Sequence, residues 1–208
     1  MGRARKPRLD AIMRAARDYS QFLLNRNVLL VGVSRDGEVG HLQLRFLARH
    51  FLHLTGVRPS HPMSSKDFLR RCLDSRLSTD DILVDGNGLA TLKLDAARAM
   101  FAPDLSASMF GEASGARLYV QAESYTGNAW ACLGFVNQGS WHDPVTLLRS
   151  PVSTEVSLAR RFRVVAVFSK PISESRYKGA VKVALRGQDD WGSVVSSLPP
   201  ELAYLELG

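Results

Sequence analysis

Apolar residues near the start of the chain recur at the spacing of an amphipathic helix. In residues 9–24, charged side chains lie on one face of the predicted helix. The opposite, apolar face is formed by Leu9, Ile12, Met13, Ala16, Tyr19, Phe22 and Leu23. A β-branched run over residues 28–33 then predicts a strand, and Arg35-Asp36-Gly37 predicts a turn. Partial alternation over residues 38–46 completes a predicted β-hairpin.

The segment from Arg45 to Gly56 is the most distinctive part of the pattern. Over residues 47–54 it predicts a short helix with a buried stripe formed by Leu47, Phe51 and Leu54. Beside the stripe runs a cationic and titratable row, Arg49, His50 and His53. Gly56 is the predicted stop of the helix, because glycine adopts the left-handed conformation at little cost. The alternative for each histidine is a core-edge residue with one hydrogen bond.

Later segments predict further helices and then a change to strands. Helices are predicted over residues 64–73, with Ser64 as a cap, and over residues 89–101, followed by a loop over 102–115. Strands are predicted over residues 116–122, 129–136, 145–148, 160–168 and 181–185, with a turn at 125–128. This segregation predicts an α+β domain in which N-terminal helices pack on an antiparallel sheet.

The predicted domain organisation is simple. Residues 1–8 form a basic flexible lead, residues 9–190 form one domain, and residues 191–208 form a tail without an interpretable pattern. The length of 208 residues and the 45% hydrophobic content suit one domain with a substantial core.

Charge and cysteine content narrow the class of protein. The net charge of +7 suits a polyanionic partner, with nucleic acid as the first candidate. An equally weighted interpretation is a basic protein that has no such partner. No apolar run approaches the roughly 20 residues that cross a bilayer, and the N-terminus lacks a secretory pattern. We therefore expect a cytoplasmic protein without membrane contact, with Cys72 and Cys132 as reduced thiols. Scattered carboxylates predict no metal site and no cofactor.

Three stretches carry a family resemblance. Residues 51–57, FLHLTGV, resemble the F-x-H-L-T-G motif of the phage-barnase-EndoU-colicin-RelE-like (PBECR) nucleases of the fourth type. Residues 19–46 match the usual lead-in of that family. Residues 131–148, which end in P-V-T-L-L, resemble its second signature, a strand followed by P-x-T-L-L. Family members often carry a tyrosine before this proline, where the chain has Trp141-His142-Asp143.

The resemblance covers about residues 15–170 and has consequences for fold and function. It implies the barnase/EndoU/colicin/RelE-like RNase fold, with helices packed on an antiparallel sheet. It also implies an endoribonuclease that cleaves RNA, tRNA being one candidate, without a metal. The implied setting is a phage, a prophage or a bacterial toxin system, in which an immunity or antitoxin protein is a candidate partner.

Metal-free RNA cleavage needs a base for the 2′-hydroxyl, an acid for the leaving 5′-oxygen and cations for the charge on phosphorus. His53 is the candidate acid or base, because histidine titrates near neutral pH. Arg45 and Thr146 are the candidates for holding the scissile phosphate, with Thr55 and Arg149 in support. The other candidate substrate contacts are Arg49, His50, Lys170 and Tyr125.

Each candidate also has a structural interpretation. Thr55 can cap the helix, Thr146 can be an ordinary strand residue, and the arginines can be solvated. The competing function is a non-catalytic nucleic-acid-binding or partner-binding protein on the same fold. Such a protein would use its basic surface and the aromatic residues Tyr119, Tyr125, Trp130 and Trp141, which could stack on bases.

Overall fold

The computed structural model describes residues 6–83, 88–115, 121–187 and 189–208. The described part of the chain begins with a helix. This helix, α1 (Lys6–Phe22), includes residues 6–8, which were predicted to belong to a flexible lead. The predicted hairpin follows as β1 (Arg26–Val33) and β2 (Val39–Phe46), paired along their whole length. Gly37 lies in the turn with a φ of 85°, the left-handed region that favours glycine.

Helical segments connect the hairpin to the remaining strands. They are α2 (Ala48–Thr55), α3 (Ser65–Leu73), a 3-10 turn (Thr79–Asp81) and α4 (Leu89–Met100). Ser64 caps α3, since its hydroxyl accepts a hydrogen bond from the Asp67 N–H at 3.0 Å. The helices predicted over residues 47–54, 64–73 and 89–101 are confirmed.

The C-terminal half supplies most of the strands. They are β3 (Met109–Ala113), β4 (Ser124–Gly127), β5 (Cys132–Asn137), β6 (His142–Leu148), β7 (Val156–Pro171) and β8 (Lys182–Val183), with a short helix α5 (Val152–Glu155) before β7. The strand order is β1-β2-β6-β5-β4-β3-β7-β8, and β7 also pairs with β1. Seven strands therefore close into a barrel, with β8 added beside β7.

The α+β class is confirmed, whereas the predicted antiparallel sheet is not what forms. Besides closing on itself, the sheet contains one parallel pairing, in which Leu44 of β2 lies beside His142 of β6. The remaining strand pairings in the described segments are antiparallel. Barrel closure joins strands that are distant in sequence, so no local pattern could indicate it.

Two local predictions between the helices and β5 were wrong, and one cannot be compared. The predicted loop over 102–115 contains β3, and the predicted turn at 125–128 is mostly β4. Both strands are short and contain a glycine close to a neighbouring strand, which weakens their sequence signal. At Gly111, for instance, an added Cβ would lie 2.1 Å from the Arg160 carbonyl oxygen. Most of the predicted strand over 116–122 falls on residues 116–120, outside the described residues.

The main core joins α1 to α4 with the barrel. At its centre Tyr19 packs against the rings of Phe46 and Phe51, at centroid distances of 6.4 and 5.3 Å. The Tyr19 hydroxyl donates a hydrogen bond to the Leu47 carbonyl at 2.8 Å. This bond ties α1 to the β2–α2 junction and so fixes the position at which α2 begins.

The C-terminal segment is ordered and packs on the barrel. It forms α6 (Trp191–Ser196) and a 3-10 turn (Pro200–Leu202). Together with Leu205, these elements cover apolar residues of β1 and β7 such as Leu29 and Phe168, making a second core. Residues 191–208, for which the sequence offered no interpretation, thus shield the outside of the β1–β7 pair from water.

Candidate functional site

The predicted end of α2 forms as the sequence indicates. Gly56 has a φ of 66°, and its N–H bonds to the His53 carbonyl. The hydroxyl of the buried Thr55 donates to the Leu52 carbonyl at 2.7 Å and accepts from the Val57 N–H at 3.2 Å. Thr55 therefore closes the helix, and its hydroxyl does not face solvent.

Gly56 also makes room for a lysine from α4. A Cβ at Gly56 would lie 2.8 Å from the Lys93 Cδ atom, so the lysine stem crosses the helix end where glycine has no side chain. The Lys93 ammonium then lies 3.4 Å from the His53 carbonyl oxygen. Burial lowers the pKa of Lys93. Sequence reasoning did not single out this cation.

A carboxylate on β6 gathers the predicted arginines. Arg45 donates to both oxygens of Asp143, at 3.0 and 3.2 Å, and Arg49 donates to one of them. His50 Nε2 lies 3.4 Å from the same carboxylate. We call Arg45, Arg49, His50 and Asp143 the arginine–aspartate cluster.

The strand register explains why the arginine–aspartate cluster forms. Because β2 and β6 run parallel with Leu44 beside His142, the next residues along each strand, Arg45 and Asp143, are also neighbours. The helix α2 starts two residues after β2 and brings Arg49 to the same carboxylate. Burial would raise the pKa of Asp143, but the hydrogen bonds from Arg45 and Arg49 outweigh it and lower the pKa.

His50 is held in its neutral form. Its Nδ1 atom accepts a hydrogen bond from the Leu47 N–H at 3.2 Å, and its Nε2 atom lies 3.1 Å from the Arg49 Nε–H and 3.4 Å from an Asp143 carboxylate oxygen. Burial, only partly opposed by Asp143, lowers the pKa of His50 to about 4. His50 is therefore uncharged at neutral pH and cannot act there as a proton donor.

His53 is the exposed histidine of α2. It follows Arg49 by one helical turn, a spacing that brings their Cβ atoms to about 6 Å. The Arg49 side chain is 60% exposed and that of Arg45 is 28% exposed. An exposed imidazole thus follows Arg49 by one turn on α2, and the Lys93 ammonium lies at the backbone carbonyl of His53 itself.

Two of the predicted residues on the barrel strands, Thr146 and Tyr125, lie below the surface. Thr146 is only 3% exposed and lies opposite Gly134, where an added Cβ would touch Thr146 and the Tyr125 ring. Tyr125 is 3% exposed and belongs to a small core with Cys132. The structure thus does not open Thr146 onto one cleft with His53, and it buries the predicted stacking face of Tyr125.

The two remaining predicted cations have partners outside α2. Arg149 is exposed and lies 3.6 Å from a carboxylate oxygen of Asp95. Lys170 is buried, donates to the Ser175 carbonyl at 2.7 Å and lies over the Tyr177 ring. Lys170 therefore fixes a local turn, and its ammonium is not offered to a substrate.

Sequence reasoning missed Asp143, the residue on which the arginines converge. The available signal was its position in the Trp141-His142-Asp143 tripeptide before the second signature, where a carboxylate stands among residues of a strand. Its partners could not be identified, because the β2–β6 pairing joins residues almost one hundred positions apart. Across the described part of the chain, no grouping of three or more His, Cys, Asp or Glu side chains could hold a metal ion.

Comparison with known proteins gives one match. Residues 11–185 match the profile of a family described as phage-Barnase-EndoU-ColicinE5/D-RelE like nuclease 4. Neither the curated proteins nor the solved structures include a match to the chain. Separately, none of the helices in the described segments combines the length and the apolarity needed to cross a membrane.

Proposed function

The chain belongs to the phage-Barnase-EndoU-ColicinE5/D-RelE like nuclease 4 family, and on that premise we propose that it is an endoribonuclease that cleaves RNA without a metal ion. The proposed setting is a phage, prophage or bacterial toxin system in the cytoplasm, with tRNA as a candidate substrate and an immunity protein as a candidate partner. The observation that carries the proposal is the exposed His53 imidazole on α2, one helical turn after Arg49, with the Lys93 ammonium at the His53 backbone carbonyl.

In the proposed reaction, His53 moves a proton at the scissile phosphate. As a base it takes the proton of the 2′-hydroxyl, and that oxygen attacks phosphorus while the bond to the 5′-oxygen breaks. The products are a 2′,3′-cyclic phosphate and a 5′-hydroxyl, whose oxygen takes its proton from solvent water while the protonated His53 returns its proton to solvent. Arg45 and Arg49 stabilise the charge on the phosphoryl oxygens with the N–H groups that Asp143 does not engage.

The arginine–aspartate cluster supports this role through preorganisation. One carboxylate fixes two guanidinium groups, and the cluster has a net positive charge because the two guanidinium groups outnumber the one carboxylate while His50 is neutral. Fixed cations cost no rearrangement when charge develops in a transition state. Thr146, Thr55 and Arg149, proposed from the sequence as phosphate contacts, are not needed in this arrangement.

The test compares wild type with His53→Ala and a matched control, His61→Ala, which removes another partly exposed histidine. Each protein is incubated with tRNA and with total RNA in EDTA, and products are analysed for cyclic phosphate ends. We expect wild type and His61→Ala to cleave, and His53→Ala to lose about 100-fold or more of the rate. Equal cleavage by all three proteins, or by none, would remove His53 as the catalyst.

The alternative is a protein that binds nucleic acid without cleaving it. Two observations favour it, namely the buried Thr146 hydroxyl and the 74% exposed Trp130, which is free to stack on a base. RNA binding that weakens on Trp130→Ala, with no cleavage in EDTA or with Mg²⁺, would support this alternative. If expression of the protein slows growth of the host and His53→Ala relieves this effect, the result would instead support a toxin function.

A further inference from the structure

A cavity of about 790 Å³, here called the barrel-end cavity, opens at one end of the barrel. It lies where β2 and β6 begin, with His41 and His142 among its lining residues. Neither His53 nor any member of the arginine–aspartate cluster is among the described lining residues, so this cavity is not the proposed cleavage site. Its volume is that of a pocket for a small molecule or a nucleotide fragment.

One wall of the cavity is aromatic. The rings of Phe110 and Phe162 are stacked, with centroids 5.3 Å apart and an interplanar angle of 17°. Both rings line the cavity together with Leu42. The ring of Phe162 also reaches under Gly40, where an added Cβ would lie 2.6 Å from it. A flat apolar wall of this kind suits a planar ring.

The polar groups of the cavity are mostly hydrogen-bond acceptors. One oxygen of the Glu123 carboxylate accepts a bond from the Asn137 N–H at 2.8 Å, which holds the group in place and leaves its other oxygen for a ligand. His142 Nδ1 lies 3.2 Å from the Gln43 carbonyl, which can only accept, so Nδ1 carries the proton and Nε2 is an acceptor.

Two further groups add to this polar wall. Glu112 is a second carboxylate, and the exposed side chain of Arg160 lies 4.0 Å from it. The Ser124 hydroxyl is buried and makes no hydrogen bond in the described part of the structure. A buried polar atom without a partner is uncommon in folded proteins and marks a place where a ligand atom can bind.

Charge decides which kind of ligand fits. The described lining residues include two carboxylates, Glu112 and Glu123, and neither lysine nor arginine. Phosphate would be repelled, whereas a planar ring with N–H donors on its edge would both stack and hydrogen-bond. We propose that the barrel-end cavity binds an unstacked nucleobase, guanine foremost, because guanine presents two neighbouring N–H donors to acceptors such as Glu123.

This inference rests on the proposed function in one respect, since RNA would be the source of the base. It is tested first with free nucleosides, which require no cleavage. Guanosine, inosine and uridine are titrated up to their solubility limits while the imidazole ¹H resonances of His41 and His142 are followed by NMR. His41→Gln and His142→Gln samples assign these resonances. Ethylammonium serves as a probe for a simple cation.

We expect guanosine to shift both resonances, inosine to bind more weakly because it lacks the amino group, and uridine to bind weakest. Glu123→Gln keeps an oxygen for the Asn137 N–H but loses the charged acceptor, and it should weaken guanosine binding at least tenfold. Val136→Phe should block binding by filling the cavity. The matched controls, Glu206→Gln and Val183→Phe on exposed residues, should bind as wild type.

Several results would overturn the proposal. These are no shift with any nucleoside, equal affinity for uridine and guanosine, or an ethylammonium response as strong as that of guanosine. The outcome is independent of the cleavage test. If the protein binds guanosine but does not cleave RNA, the proposed function is refuted and the nucleobase site is supported. If it cleaves RNA but binds no nucleoside, the nucleobase site is refuted and the proposed function is supported.

Discussion

Acidification should destabilise the protein through His50. The imidazole is buried, and its pKa falls to about 4, below the ordinary value of 6.5. Protonation would break the bond that Nδ1 accepts from the Leu47 N–H and would place a third positive charge beside Arg45 and Arg49. The Asp143 carboxylate favours the charged ring, but it is already shared by both arginines.

The sign and size follow from proton linkage. The folded pKa is depressed, so the unfolded chain binds more protons as the pH falls below about 6.5. The contribution is fully present above that value and is lost as the pH falls toward 4. At pH 5 the unfolded state gains about 2 kcal/mol relative to the folded state from this one group.

Urea denaturation at pH 7 and pH 5 measures this effect. The variant His50→Asn keeps an acceptor for the Leu47 N–H but cannot titrate, and His61→Asn is the matched control. Wild type and His61→Asn should lose about 2 kcal/mol more stability between the two pH values than His50→Asn does. Burial also lowers the pKa of His41, which affects all three proteins alike and cancels in the comparison. The same pH-dependent loss in all three would refute the linkage to His50.

Three further changes test the packing around the site. Asp143→Asn leaves two guanidinium groups without their anion and should lower the free energy of unfolding by about 2–3 kcal/mol. Asp67→Asn, which removes the carboxylate of an exposed ion pair, should lower it by less than about 1 kcal/mol. Urea denaturation measures both changes. Gly56→Ala should lower the free energy of unfolding by about 1 kcal/mol more than Gly139→Ala does, because both glycines have a positive φ but only a Cβ at Gly56 meets a side chain. Equal losses would contradict the close approach of the Lys93 side chain to Gly56. Deleting residues 191–208 should expose the second core and increase binding of a hydrophobic dye, and an unchanged dye signal and melting temperature would show that the segment does not protect the barrel.

The parts of the fold that the sequence predicted are those set by local rules. The α2 helix was predicted because Leu47, Phe51 and Leu54 recur at helical spacing and Gly56 supplies the stop. The β1–β2 hairpin was predicted from a β-branched run and an Asp-Gly turn. Each signal lies within about a dozen residues, so no tertiary knowledge was needed.

The parts that were missed depend on contacts between distant residues. The β4 strand was taken for a turn because Gly127 and Asn128 resemble turn residues, and the actual turn begins at Asn128, whose side chain accepts from the Trp130 and Ala131 N–H groups. Likewise, Thr146 was predicted to contact phosphate because it belongs to the second signature and its hydroxyl can donate a hydrogen bond. Its burial beside Gly134 follows from the β5–β6 register, which contains a bulge at this point.

One seam of the barrel determines the surroundings of both proposed sites. Neighbouring residues of β6 belong to different sites, since Asp143 binds the arginines beside α2 while His142 lines the barrel-end cavity. Side chains alternate between the two faces of a strand, so a shift of β6 by one residue along β2 would exchange these roles. The seam is held at Leu44 by the backbone and across the strands by the Arg45–Asp143 ion pair. The ion pair therefore specifies a strand register as well as a charge arrangement, and replacing Asp143 should disturb the NMR signals of His142 in the cavity as well as the arginines that it binds.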